Sequence, residues 1–271
     1  MAHWTLDDID WTAFRPDKVD PDLLRVAKAA ALVEHNGADY AVYLNNVFAG
    51  DDTIRPTIDA WALEEVQHGA ALARWAKLAD PVWDFDAAFR RFTDGYKLPL
   101  DATASVRGSR AGELVARCIV ETGTSSYYAA LADAADEPVF RQVCRKIAAD
   151  ELRHYKLFYD HMRRYQLAEN AGRWRRVATG IGRIAESEDD ELAYAYYAAN
   201  LWPDAYDRRT SARAYARRAY SVYRRPHVER GIGMALKAVG LRPQGVLHRA
   251  LASVATWAMA QRARSLARAG A

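Results

Sequence analysis

The sequence predicts an all-α protein built around a four-helix bundle, and three observations carry that prediction. Of 271 residues, 51% are hydrophobic, alanine and arginine are abundant, and there are only 15 Gly and 9 Pro. Alanine and arginine lose little on entering a helix. No stretch alternates with period two, the pattern a half-buried strand requires. Finally, the first 170 residues contain one design twice. Glu34 precedes Glu65-x-x-His68, and Glu121 precedes Glu151-x-x-His154, at offsets of 86 or 87 residues. Each unit reads as a helical hairpin, because 30 or 31 residues separate the single Glu from the Glu of the pair. That interval is half a helix, a short turn and half a helix, so at about 1.5 Å rise per residue the two positions return to similar heights.

The elements follow in order. Residues 1–20 look irregular. Asp20-Pro21 opens the first helix, with Asp as N-cap and Pro in the first turn. It is expected to run to about Phe48 and stop at Gly50-Asp51-Asp52. A second helix begins near Thr53–Pro56 and ends before Asp80-Pro81. Residues 81–108, with scattered Pro, Gly and aromatics, read as a long connection holding one short helix. A third helix covers about 109–134, and a fourth runs from Glu137-Pro138 to about Leu167. Helices near 171–200, 207–239 and 243–269 complete the chain, with a break at Leu201-Trp202-Pro203 and a kink at Pro226. The expected division is a bundle with an N-terminal arm over 1–170 and a basic helical extension over 171–271.

Composition narrows the functional classes. The two cysteines, Cys118 and Cys144, sit inside helical patterns with no CxxC or zinc-finger spacing, so they read as buried reduced thiols. Cys118 lies one turn before Glu121, on a face near any metal. The start of the chain lacks a signal-peptide pattern, and no apolar run approaches the roughly 20 residues of a membrane span. The expectation is a cytoplasmic protein. Charge is uneven: residues 1–170 hold 20 Lys+Arg against 27 Asp+Glu, and residues 171–271 hold 18 against 8. Arg217, Arg218, Arg224, Arg225 and Arg230 read as a basic strip, either simply solvated or suited to an acidic partner. Nothing resembles a nucleic-acid-binding motif or a phosphate-binding glycine loop; Gly231-x-Gly233 lies in a helical context.

On a helix, residues i and i+3 share a face, so each Glu-x-x-His aims a carboxylate and an imidazole at one point. Glu34, Glu65, His68, Glu121, Glu151 and His154 together offer four carboxylates and two imidazoles. That set neutralises two divalent ions and suits iron, or manganese, better than zinc. Glu64 and Asp150 each precede a Glu of the set and point elsewhere, toward hydrogen bonds to a histidine. Glu113, two turns before Glu121, reads as a surface residue. Tyr194, Tyr196, Tyr197, Tyr215, Tyr220 and Tyr223 read as amphipathic packing.

Over roughly residues 25–165 the chain resembles the soluble acyl-carrier-protein desaturases, a branch of the ferritin-like superfamily. WALEEVQHG (61–69) resembles that family's W-x-x-E-E-x-x-H-G, and IAADELRH (147–154) is similar to its second ligand motif. Glu34, Tyr40, Leu44 and Asn45 keep its E-x5-Y-x3-L-N spacing, and Glu121-x-x-Thr124 its E-x-x-T. The surroundings of Glu121 and the basic C-terminal part depart from the pattern. The resemblance implies a ferritin-like bundle with a long crossover and a di-iron centre. That centre would use dioxygen to remove two hydrogens from a fatty-acyl chain. It also implies an acyl-carrier protein as substrate carrier, a ferredoxin as electron donor and a homodimer. It places Thr124 near the oxygen-binding face, where it could relay protons; the other reading is a hydroxyl satisfied by its own helix. It places Trp61 on an electron route, against plain core packing. Hydroxylation or N-oxygenation of another substrate, and ferritin- or rubrerythrin-like iron or peroxide handling, remain open beside desaturation.

Overall fold

The computed structural model describes residues 4–170, 172–186 and 190–269. Among them the regular structure is entirely helical. An arm with three short 3-10 turns precedes α1 (Pro21–His35), α2 (Gly37–Val47), α3 (Arg55–Ala79), α4 (Phe85–Gly95), α5 (Arg110–Ala134) and α6 (Pro138–Ala168). Beyond them lie α7 (Arg173–Ala185), α8 (Asp190–Asn200), α9 (Arg208–Ser221), α10 (Arg225–Ala238) and α11 (Val246–Ala269). No described helix is long and apolar enough to cross a membrane.

The predicted starts coincide with capping side chains. Asp20 accepts from the amides of Asp22 and Leu23, Ser109 from Gly112, and Glu137 from Phe140. Each satisfies amides that the first helical turn leaves unpaired. The α1–α2 segment packs against α3, and α5 lies along α6. The crossover from α3 to α5 carries α4, which rests on α8 and α1. Of the C-terminal helices, α7 and α10 pack on α5, and α8 and α9 on α1.

Two predicted elements come out differently. The first helix is interrupted at Asn36, so it forms α1 and α2 rather than one rod. Asn36 and Gly37 are both weak helix formers, and α3 presses in here: a Cβ on Gly37 would lie 2.6 Å from the Cβ of Glu65. The predicted 207–239 helix is two helices, not one kinked helix. Proline's ring excludes the carbonyl four residues back, so the chain leaves the helix after Ser221 and restarts with Pro226 in the first turn of α10. The predicted 171–200 helix corresponds to α7 and α8, with residues 171 and 187–189 outside the described residues.

The bundle interior has two apolar clusters. One contains Val26, Leu72, Trp75, Tyr128, Leu131 and Phe140, with Trp75 stacked on Phe140 at 4.1 Å. The other contains Leu44, Ile58, Trp61, Leu114, Phe158 and Met162. Along α3, α5 and α6 the acidic and histidine residues fall between these clusters. The polar layer is therefore closed off from water at both ends by packed side chains.

Candidate metal centre

Four helices bring the six residues together. Glu34 comes from the last turn of α1, Glu65 and His68 from α3, Glu121 from α5, and Glu151 and His154 from α6. All six are buried. They form two overlapping groups: Glu34, Glu65, His68 and Glu151, and Glu65, Glu121, Glu151 and His154. Within each group the potential ligand atoms lie within 4.8 Å of one another. Glu65 and Glu151, one from each hairpin, belong to both. Each group adds one further Glu and one His to these two shared carboxylates.

The unsatisfied atoms show that these groups fit metal ions. Buried polar atoms are almost always hydrogen-bonded. Here Glu34 Oε2, Glu65 Oε1, Glu151 Oε1, His68 Nδ1 and His154 Nδ1 are buried without a hydrogen-bond partner. His154 Nδ1 stands 3.0 Å from Glu65 Oε1, and His68 Nδ1 3.3 Å from Glu151 Oε1, so the atoms converge without being aligned as hydrogen bonds. The cluster could hold a metal ion through these atoms.

The opposite nitrogens of the two rings are anchored crosswise. His68 Nε2 meets Asp150 Oδ2 at 2.9 Å, and His154 Nε2 meets Glu64 Oε2 at 2.7 Å. Each histidine is thus held by an acid of the other hairpin. Arg153 joins the two acids, reaching Asp150 Oδ1 at 2.7 Å and Glu64 Oε2 at 3.0 Å. Such contacts fix the ring orientation and leave Nδ1 facing the cluster. The glycine of the WALEEVQHG stretch also has its reason: a Cβ on Gly69 would lie 2.5 Å from the backbone nitrogen of His35. Only glycine lets α1 approach α3 closely enough to bring Glu34 to His68.

Burial and mutual proximity shift the pKa values of these groups. Burial, then the charges of Glu151 and Glu34, push Glu65 well above the carboxylate range. Burial and the Glu151 charge push Glu121 up to about 8. For His68, burial opposes the charged ring, but Asp150, Glu151 and Glu34 outweigh it and raise the pKa well above 6.5. His154 behaves likewise through Glu121, Glu151, Glu64 and Glu65. Glu151 is lowered despite its burial, because both histidine rings stand close beside it.

Thr124 lies at the edge of the cluster. Its hydroxyl is 2.7 Å from Glu151 Oε2 and 3.2 Å from the carbonyl of Val120. The hydroxyl is thus satisfied by its own helix and also reaches the carboxylate, which is the shorter contact. Gly123, beside it on α5, is exposed, and Thr124 itself is half-buried. Trp61 packs edge-on to Phe158 at 5.5 Å within the second apolar cluster, and its indole N–H has no partner.

Several residues were not legible as part of the site. Trp4, in the arm, donates from Nε1 to Asp150 Oδ2 at 2.6 Å and stacks parallel to His68. The indole hydrogen-bonded into the site is therefore Trp4, with Asp150 between it and His68. Tyr128 donates to Glu34 Oε1 at 2.5 Å. Its place seven residues after Glu121 was the available signal, since that spacing returns to the same helix face.

Glu113 is buried rather than on the surface. It accepts from Tyr43, 70 positions away, at 2.9 Å and from Ser105 in the preceding loop at 2.7 Å, and these compensate its burial. Arg117, one turn before Glu121, is buried as well, with its guanidinium over the Tyr40 ring. Cys118 and Cys144 are free and buried, Cys118 in the second apolar cluster and Cys144 in the first. The basic strip is also corrected. Arg218 is buried and pairs with Asp22 at 2.6 Å, Arg225 pairs with Glu229 on its own helix, and the break after Ser221 separates Arg217 from Arg224.

The chain matches no protein-family model and no curated protein. The resemblance to the desaturases rests on the motifs quoted above.

Proposed function

We propose that this protein is a di-iron oxidoreductase that uses dioxygen to remove two hydrogens from a fatty-acyl chain. The observation that carries the metal half of this reading is the pair of overlapping groups sharing Glu65 and Glu151, with converging atoms left unsatisfied. Four carboxylates balance the charge of two divalent ions, and mixed oxygen and imidazole donors suit iron, or manganese. The acyl half is supported by the stretches 61–69 and 147–154 and by the closed, apolar surroundings of the layer.

When bound, the metal pair would supply dioxygen reduction and an oxidant strong enough for an unactivated C–H bond. Every other task falls to this chain. Glu34, Glu65, His68, Glu121, Glu151 and His154 would hold the ions, with Glu65 and Glu151 common to both groups. Asp150 and Glu64 hold the rings in register. Thr124 can hold a proton at Oγ1 beside Glu151. The two apolar clusters exclude water that would otherwise quench a reactive centre.

The test is metal analysis followed by product analysis. Protein expressed with iron should carry about two irons per chain, as the ligand set implies. Glu65→Ala and His154→Ala should lose metal. Full loading in both variants would show that the ligands are misassigned. Mass spectrometry of products from a panel of carrier-bound and free acyl substrates, with ferredoxin and dioxygen, should show loss of two mass units. A gain of one oxygen would instead favour hydroxylation.

A further inference from the structure

We propose that the outer face of α11 docks the protein onto an anionic lipid surface. One side of α11 rests on α9 and α10, through Ala252 and through His248, whose Nε2 meets the carbonyl of Glu229 at 2.8 Å. The opposite side is apolar and bare. Val246 is 75% exposed, Leu247 50%, Val254 63% and Trp257 63%, with Leu251 beside them. Leu247, Leu251, Val254 and Trp257 recur every three or four positions, so they form one stripe away from the supporting helices. An exposed stripe of large apolar side chains marks a surface that meets something other than water.

Charge identifies the occupant. From residue 242 onward the chain has Arg242, Arg249, Arg262, Arg264 and Arg268 and no acidic residue. Arg264 lies seven positions after Trp257, which places it on the same face two turns further along. Arg249 flanks the stripe near its start. A bare apolar stripe with a tryptophan within it, arginines around it and no acid is complementary to a surface that is apolar and anionic at once, as an anionic bilayer interface is. The apolar side chains enter the boundary region while the arginines stay at the headgroups. A second copy of this chain is a poorer occupant, since it would bring an equally cationic helix. The proposal does not depend on the metal centre.

The experiment is vesicle co-sedimentation of the full chain. One set of vesicles is phosphatidylcholine alone, and the other is phosphatidylcholine mixed with phosphatidylglycerol. Wild-type protein should sediment with the anionic vesicles and far less with the neutral ones, and added salt should weaken binding. The exposed double variant Val254→Asp, Trp257→Asp should weaken binding at least about tenfold, by removal of two buried apolar side chains. Its circular dichroism should be unchanged. Arg249→Glu with Arg264→Glu should abolish the preference for anionic vesicles. Absence of vesicle binding, or binding that the aspartate variant retains, would overturn the proposal. So would a wild-type dimer in sedimentation velocity that the aspartate variant splits, or vesicle-free binding of an acidic carrier protein that the variant loses. The stripe would then belong to a second copy or to a protein partner.

Discussion

Replacing Asp150 tests whether the ring anchors tune metal affinity. Asp150 is 4% exposed and receives His68 Nε2 and Trp4 Nε1 on Oδ2 and Arg153 on Oδ1. Asp150→Ala removes all three contacts at a position water reaches poorly, and frees the ring of a fully buried histidine. Loss of such a partner typically lowers metal affinity about 10–100-fold, or roughly 1.4–2.7 kcal/mol. Asp150→Asn should cost less than about tenfold. Its amide oxygen can still accept from His68 and Trp4, while the half-exposed Arg153 swings onto Glu64. Glu64→Ala should fall between the two, because that side chain is 21% exposed and water can replace it at His154. The assay is anaerobic titration of Fe(II) or Mn(II) against a chromophoric chelator, with thermal unfolding as a check on folding. Wild-type affinity in Asp150→Ala, or equal losses in all three variants, would refute the orienting role.

The metal-free cluster also predicts a pH dependence. Burial and the Glu151 charge push Glu121 up from an ordinary 4.5 to about 8, so its protonated form favours the fold and that contribution disappears as pH rises between those values. Glu65 and the two raised histidines act in the same direction. The melting temperature of metal-free protein should fall over this range, and metal binding should release protons, measurable by calorimetry in buffers of different ionisation enthalpy. A flat profile with no proton release would contradict the raised values. Glu137→Ala should destabilise by about 2–4 kcal/mol in urea unfolding, because it strands the buried donors Trp75 Nε1 and Phe140 N. Glu137→Gln keeps an oxygen for both and should cost about 1 kcal/mol. Cys118 and Cys144 have pKa values pushed well above the thiol range by burial, so alkylation followed by mass spectrometry should be slow in native protein and fast in denaturant.

The six converging residues were legible because their message is local. Helical periodicity alone decides that Glu65 and His68 share a face, and a repeat at constant offset reports a second hairpin. The helix starts were legible for the same reason, since Asp20, Ser109 and Glu137 cap amides only two or three residues away. What escaped depends on contacts between distant segments. Trp4 reaches Asp150 across 146 positions, and nothing in an irregular arm signals that. Glu113 looked like a surface acid because its partners, Tyr43 and Ser105, are brought to it only by the fold. Arg218 was assigned to a basic strip by counting charges, whereas Asp22, on the first helix, draws it inward.

The crosswise anchoring of the histidines bears on how such a site can come into being. Neither hairpin carries a half-site that works alone: the first has His68 but not its anchor Asp150, and the second has His154 but not Glu64. The two carboxylates common to both groups, Glu65 and Glu151, are likewise split between them. If the chain were severed in the crossover, neither fragment should retain metal, and metal would be regained only as the halves reassociate. Metal uptake would then report the union of the two hairpins, and its rate would follow fragment concentration. The same mutual dependence means that a drifting anchor in one hairpin harms the other's histidine, so the two copies of the duplicated design are bound to change together.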